Sequence, residues 1–264
     1  MFDPEAYLHR IGVPVPANPD LPTLRALQHR HLSAIPYNIA PADFADGVHL
    51  VHLDEDEIFA RNVLAGRGGT CFQLNRLFHR LLGELGYDVS LVAGSTAEGR
   101  AHFGTDVEHM FCLVVLDGEQ WITDVGYPGP SYTEPLRVAM SAQEQHGSQF
   151  RVRELDGALA VQRRGRVTRW GVVYTFTPQP RRYQDWAEFE KRAREQQPTE
   201  AAADFQGVLR GRTFADGQAV LKGRRYLVVQ NGREHVHTIT DDDEHRRLSA
   251  EILAGEFDRP PVPR

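Results

Sequence analysis

Apolar residues recur along this chain with two different periods, and the change falls near residue 86. Before it the spacing is helical. Cys71, Phe72, Leu74, Leu77, Phe78, Leu81, Leu82 and Leu85 form an i, i+3, i+4, i+7 series, with Thr70 as N-cap and Gly86 where a C-cap glycine ends a helix. Three shorter helices are predicted upstream. Asp3-Pro4 opens one that stops by Gly12; a second runs from Thr23 to Leu32 and cannot continue into Pro36; Asp54 with Glu57 makes a capping-box-like start for a third through Ile58, Phe59 and Val63, closed by Gly66.

After Gly86 the period is 2. Val89, Leu91 and Ala93 alternate, a loop from Gly94 to Asp106 follows, and the runs His109 to Leu116 and Gln120 to Val125 flank Asp117-Gly118, a strong two-residue hairpin signal. Further strands are predicted at 150–155, 159–163 and 167–176, with Asp156-Gly157 and Arg164-Gly165 as turns, a spacing that suits a barrel or a sandwich. Asp185 and Glu188 open a charged helix that Pro198 ends. Trp186, Phe189 and Ala193 would dock it, while Glu190, Lys191, Arg192, Arg194 and Glu195 would stay solvated. From Val208 short strands return around Asp216-Gly217, Gly223 and Asn231-Gly232, and a helix near 242 to 254 closes at Gly255.

Composition narrows the function classes. At 264 residues, 41% hydrophobic and 25% charged, the chain can bury a sizeable core, and it has no apolar run near the 18 residues a membrane helix needs. The start, Met-Phe-Asp-Pro-Glu, lacks a basic segment and an apolar stretch, so it reads as cytoplasmic. A net charge of −6 argues against nucleic acid as a partner, and Arg163-Arg164 and Arg181-Arg182 are too short to overturn that. Two cysteines, Cys71 and Cys112, are too few for a disulfide framework. The histidine pairs His29/His31, His49/His52 and His235/His237 have no carboxylate or cysteine at metal-ligand spacing, so no metal is expected.

The candidate chemistry sits at the start of the 71–85 helix. A buried free cysteine is ordinarily packing material. Cys71, however, follows Gly68, Gly69 and Thr70, where unpaired N–H groups and the helix dipole favour thiolate, and two glycines would let a substrate approach. The hairpin supplies its partners. If Asp117-Gly118 is a two-residue loop, Leu116 pairs with Glu119, Asp124 falls opposite Phe111, and His109 becomes its diagonal neighbour on the same face. A carboxylate that orients an imidazole, and an imidazole that takes a thiol proton, complete a Cys71, His109, Asp124 triad. Cys112, inside an apolar strand, is expected to be inert.

These motifs resemble those of the arylamine N-acetyltransferase family: Arg67-Gly-Gly-Thr-Cys71-Phe-Gln73-Leu-Asn75, His109-Met110, Asp124-Val-Gly126-Tyr127-Pro128-Gly129, and upstream His31-Leu-Ser-Ala-Ile35-Pro36-Tyr37-Asn38. The resemblance implies an α+β fold: a helical domain bearing the nucleophile (1–86), an antiparallel β-barrel (87–182), a helical connector (183–207) and an α/β lid (208–264). It implies Cys71, His109 and Asp124 as catalytic residues, and acetyl-CoA as donor in a ping-pong acyl transfer to an arylamine, arylhydrazine or N-hydroxyarylamine. It also implies contact between the pantetheine and Gly126, Tyr127 and Gly129, through exposed N–H groups of that loop. The partners implied are an amine acceptor and an acyl-CoA or acyl carrier protein donor, with no nucleic acid and no membrane. The chain departs from the family pattern in Gln73 and Asn38, amides where the family has glutamates that could hold Arg67, in Pro128, and in a late region with Gln197-Pro198. Ansamycin-type amide synthases, which close a carrier-bound polyketide chain onto an arylamine, resemble the same family and are the alternative. A cysteine hydrolase or transglutaminase-like enzyme shares the triad order, and a degenerate scaffold would lack an intact triad.

Overall fold

In the computed structural model, residues 1–16, 18–39, 49–96, 103–195 and 207–255 are described. Four helical segments come first: α1 (Pro4–Ile11), α2 (Leu21–Ala34), α3 (Glu55–Ile58), which runs on as a π-helical turn (Phe59–Leu64), and α4 (Cys71–Glu84). Their ends follow the sequence signals. The carboxylates of Asp3, Asp20 and Asp54 accept the free N–H groups of α1, α2 and α3, and Gly12 and Gly86 take positive φ just past α1 and α4. His31 of the upstream motif lies fully buried in α2, hydrogen-bonded to Tyr7 Oη at 2.8 Å, and burial holds it neutral with its pKa lowered to about 3. Within the stretch that reads as helical there is also a strand, β1 (Tyr37–Ile39).

Eight strands then form an antiparallel sheet ordered β5-β4-β3-β2-β9-β8-β7-β6. They are β2 (Asp88–Thr96), β3 (His109–Leu116), β4 (Glu119–Thr123), β5 (Leu136–Arg137), β6 (Gln143–Gln145), β7 (Ser148–Leu155), β8 (Ala158–Arg164) and β9 (Gly171–Phe176). Two glutamines stitch its ends into a barrel. Gln143 accepts from Arg137 N and donates to Arg137 O, and Gln145 accepts from Thr133 N and Glu134 N and donates to Glu134 O, so side-chain amides stand in for a missing ladder.

Strand β3 is buried on both faces, which is why it reads as one apolar run. Met110, Cys112 and Val114 pack into the helical core, while Phe111 and Leu113 fill the barrel with Val92, Ile122, Tyr174 and Phe176. Two sequence expectations fail here. Strand β2 continues through Gly94 to Thr96, because Gly94 pairs with both His109 and Phe176. Strand β9 begins at Gly171 and not at 167, because Gly165 to Trp170 form a longer loop in which Val167 is exposed and Trp170 stacks beneath Arg151 and Arg164.

A 3₁₀ turn (Tyr183–Trp186) leads into the connector helix α5 (Ala187–Glu195); Trp186 is buried as expected. Pro198, expected to end this helix, lies outside the described residues. Glu190 corrects the solvated-face reading: it is buried, for reasons given below. The last unit is a meander of β10 (Leu209–Phe214), β11 (Gly217–Lys222), β12 (Arg225–Gln230) and β13 (Arg233–Thr238), with α6 (Asp242–Ala254) across it and β1 as its outer strand beside β10. The lid sheet is thus completed by residues from the first third of the chain.

Candidate active site

The Asp117-Gly118 turn has the two positive φ values of a type I′ hairpin, 51° and 78°, and pairs Leu116 with Glu119 through to Cys112 with Thr123. The next step brings Asp124 to the His109 face. Its Oδ2 lies 2.6 Å from His109 Nε2, with both side chains almost wholly buried. The His109 ring is held against Phe111, Tyr127 and Tyr174.

Helix α4 delivers Cys71 to the same point from the other side. Burial alone would push the His109 pKa down. The Asp124 charge and hydrogen bond, and then the hydrogen bond and charge of Cys71, outweigh burial and raise it to about 10. Since Nε2 is engaged by Asp124, Nδ1 is the nitrogen left for Cys71. An imidazolium beside the thiol sulfur favours the ion pair that makes a cysteine nucleophilic. Cys112, fully buried with its Sγ 3.6 Å from Asn75 O, is pushed well above the usual thiol range by burial and then by the Asp124 charge.

The sequence reading missed the groups that hold Asp124. Asn75, one helical turn after Cys71 and fully buried, donates from Nδ2 to Asp124 Oδ1 (2.9 Å) and Met110 O (2.7 Å), and accepts from Val125 N (2.9 Å). Gly126 N donates to the same Oδ1 at 2.9 Å. Buried Gln28 accepts from Thr123 Oγ1 at 2.7 Å and donates to the carbonyls of Asp124 and Tyr132. Two signals pointed to Asn75, its place at the end of the Arg67 to Asn75 motif and the i, i+4 spacing that puts it on the Cys71 face of α4.

The glycines before Cys71 are set in close packing, and Gly68 takes the positive φ that only glycine adopts readily. Gly68 has φ of 71°, and a Cβ there would sit 2.0 Å from Pro36 O; at Gly69 it would strike the Asn62 and Gln73 amides. Both are buried. Gln73 Oε1 accepts from Thr70 N and Asn62 Nδ2, closing the start of α4, and Asn38 Nδ2 donates to Arg67 O. The two amides therefore brace the Cys71 turn by hydrogen bonds and not by ion pairs with Arg67.

A cleft of about 500 Å³ opens on Cys71 and His109, bordered by Ile39, Leu50, Leu53, Ile58, Phe72, Phe189 and Leu209 among its apolar walls, with Pro128 beside them. Of the loop residues that the resemblance assigns to a coenzyme, Gly126 lies beside Cys71 and Tyr127 beside His109. The Gly126 N–H is spent on Asp124, and a Cβ at Gly126 would lie 2.6 Å from Cys71 Cα. Tyr127 Oη donates to Val173 O, and its ring lies edge-on to His109; Gly129 packs beside the Tyr127 ring. Among the described residues no group of three His, Cys, Asp or Glu side chains could hold a metal ion, and no helix is long and apolar enough to cross a membrane.

The N-acetyltransferase family model matches residues 20–257. Proansamycin X synthase of Amycolatopsis mediterranei (strain S699) is 56% identical over 256 residues, covering 97% of this chain and 98% of that protein. Among solved structures, the arylamine N-acetyltransferase from M. tuberculosis superposes with a TM-score of 0.81 at 25% identity, covering 97% of this chain and 94% of that one. The Mycobacterium marinum arylamine N-acetyltransferase in complex with CoA shares the fold, with a TM-score of 0.76 at 23% identity over 98% of this chain and 96% of its own.

Proposed function

Because the chain belongs to the arylamine N-acetyltransferase family and is an acyltransferase, we propose that it forms amides of the ansamycin type, moving a long acyl chain from a thioester through Cys71 to an aromatic amine. The observation that carries the reaction class is the Cys71, His109, Asp124 chain at the floor of the cleft. Extended likeness to proansamycin X synthase and a cleft much larger than an acetyl group favour the long acyl chain.

In the first half-reaction His109 holds the Cys71 proton as the sulfur attacks. Cys71 Sγ attacks the thioester carbonyl, the donor thiol leaves, and His109 gives it a proton, leaving an acyl-cysteine and a neutral imidazole. Acylation removes the Cys71 hydrogen bond and charge, two of the contributions that raise the His109 pKa, so the ring releases its proton more readily and stands neutral, able to accept one, at the step that needs a base. In the second half-reaction an amine nitrogen attacks the thioester, His109 takes its proton, the amide forms, and Cys71 thiolate departs into the restored pair. Asp124 fixes the ring throughout, and Asn75 and Gly126 fix Asp124.

Coenzyme A is supported as one donor by the CoA complex of the M. marinum relative; an acyl carrier protein is the donor in keeping with the synthase relative. The donor arm would meet the 126–129 loop at Pro128, the loop residue that borders the cleft. A reducing cytoplasm suits two free cysteines. A second reading, acetyl transfer from acetyl-CoA to a free arylamine, uses the same two half-reactions and is favoured by the M. tuberculosis relative.

The N-acetylcysteamine thioester of a long ω-(aminophenyl)alkanoic acid separates the two. Mass spectrometry is expected to show acyl on Cys71 and then a macrolactam with release of N-acetylcysteamine. Acyl on Cys112, or none from any thioester, overturns acyl transfer by this site. Faster turnover of acetyl-CoA with free aniline than of the tethered substrate establishes the second reading.

A further inference from the structure

The buried glutamate of α5 faces a short strap of chain that forms one wall of the cleft. Glu190 Oε2 accepts from Leu50 N and from Val51 N, each at 2.7 Å, and its Oε1 pairs with Arg194 at 2.6 Å. The same two peptide units are gripped from their carbonyl side. Arg76 Nη1, on α4, donates to Leu50 O (3.1 Å) and Val51 O (3.3 Å), while its Nε bonds Glu55 at 2.8 Å. Each polar group of these two residues is thus held by a charged side chain, a carboxylate on one side and a guanidinium on the other.

This clamp is costly to build. Glu190 is only 8% exposed, and a buried carboxylate is retained only where hydrogen bonds and an opposite charge offset its desolvation. What it holds in place is the cleft wall. His49, Leu50, His52 and Leu53 border the cavity on the strap, and Phe189 and Ala193, on either side of Glu190 in sequence, border it on α5. Phe72, the residue after Cys71, touches Phe189 with ring centroids 5.7 Å apart. From the nucleophile the cleft wall continues through the apolar side chains Phe72, Phe189, Ala193, Leu50 and Leu53, a passage that His49 and His52 also border.

We propose that this passage is the subsite for the acyl chain carried by Cys71, and that Glu190 is a positioning residue that keeps it open to long chains by holding the strap at 49–53. The inference rests on the reading of Cys71 as the acylated group. A long acyl chain on Cys71 would extend past Phe72 toward Phe189 and the strap, whereas acetyl adds a single methyl group beyond its carbonyl. Glu190 acts through Leu50 and Val51 and touches no reacting atom.

Acylation of Cys71 by acetyl-, hexanoyl- and decanoyl-N-acetylcysteamine tests this in the wild type and in Glu190→Gln, Glu190→Ala and Ala193→Phe. The kcat/KM ratio of decanoyl to acetyl is expected to fall about tenfold or more in Glu190→Ala, through KM for the long donor, and by less in Glu190→Gln. Ala193→Phe fills the passage without touching the clamp and is expected to give the same loss of chain-length preference. Should Glu190→Ala fail to fold by circular dichroism, the other two variants carry the decision. Equal loss on all donors in every folded variant, or an unchanged ratio, overturns the inference. No acylation of the wild-type Cys71 by any donor overturns the acyl-transfer reading instead.

Discussion

The three hydrogen bonds on Asp124 decide what a one-atom change there would do. Its Oδ1 receives donors from Asn75 Nδ2 and Gly126 N, and its Oδ2 faces His109 Nε2. In Asp124→Asn the two donors at Oδ1 require the amide oxygen, so the amide NH₂ is forced toward His109. Nε2 must then be an acceptor, and the ring carries its proton on Nδ1, the nitrogen needed to take one from Cys71. The Asp124 charge is also the first of the contributions that raise the His109 pKa to about 10, and burial, which lowers it, remains. The variant is expected to stay folded, lose about 10⁴ in rate as in serine-protease triads, and react slowly with iodoacetamide at neutral pH because Cys71 is no longer paired with an imidazolium. The wild type is expected to alkylate rapidly at neutral pH, where the Asp124 charge and hydrogen bond keep His109 protonated against the opposing effect of burial. A folded variant that keeps both activity and rapid alkylation removes Asp124 from the triad.

Between residue and molecule, the β3–β4 hairpin is the element that makes the site, and it was legible because its turn is specified locally. Asp117 and Gly118 both take positive φ, which fixes a two-residue loop, and period-2 alternation carries that register to Asp124 and His109. Inserting one glycine between Asp117 and Gly118 shifts the register by one residue, turning Asp124 away from His109. Activity is expected to disappear while the far-ultraviolet spectrum is kept; a fully active insertion variant would show that the hairpin register does not place the carboxylate. Helix α4 was equally legible, since Thr70, the apolar series and Gly86 lie within one continuous stretch. What escaped the sequence depends on partners far along the chain. Asn75 is satisfied by residues of β3 and of the loop after β4, Glu190 by peptide groups 139 and 140 positions away, and β1 by a strand more than 170 residues later. A polar residue on a helix looks solvated until the opposing surface is known.

Across the whole molecule, a single arginine joins the first helices to the lid. Arg212 of β10 is buried, and its guanidinium donates to Ser33 O and Ala34 O at the end of α2 and to Ile252 O (3.0 Å) and Leu253 O (2.6 Å) at the end of α6. These are the carbonyls a helix leaves unpaired at its negative pole, so one cation caps two helices from different parts of the chain. Burial, and then the charge of Arg10, lower its pKa to about 10, which still leaves it charged at neutral pH. Gly255 fits against the guanidinium, where a Cβ would come within 2.5 Å. The same strand places Leu209 on the cleft wall and pairs with β1, so the lid side of the cleft is positioned through β10. Lysine cannot reproduce this geometry, because one ammonium cannot reach carbonyls on two helices in the fork that a guanidinium offers. Arg212→Lys is expected to lower stability by about 2 kcal/mol and Arg212→Met by more, since charge-assisted hydrogen bonds to buried acceptors are lost. Urea unfolding followed by circular dichroism measures the loss. Limited proteolysis should show the lid opening first, because α4 and the β3–β4 hairpin, which carry Cys71 and His109, make no hydrogen bond to Arg212. An unchanged urea midpoint for Arg212→Lys would mean that water caps both helices well enough, and that β1 pairing and the barrel contacts Arg163–Glu234 and Ser131–Gln218 hold the lid without it.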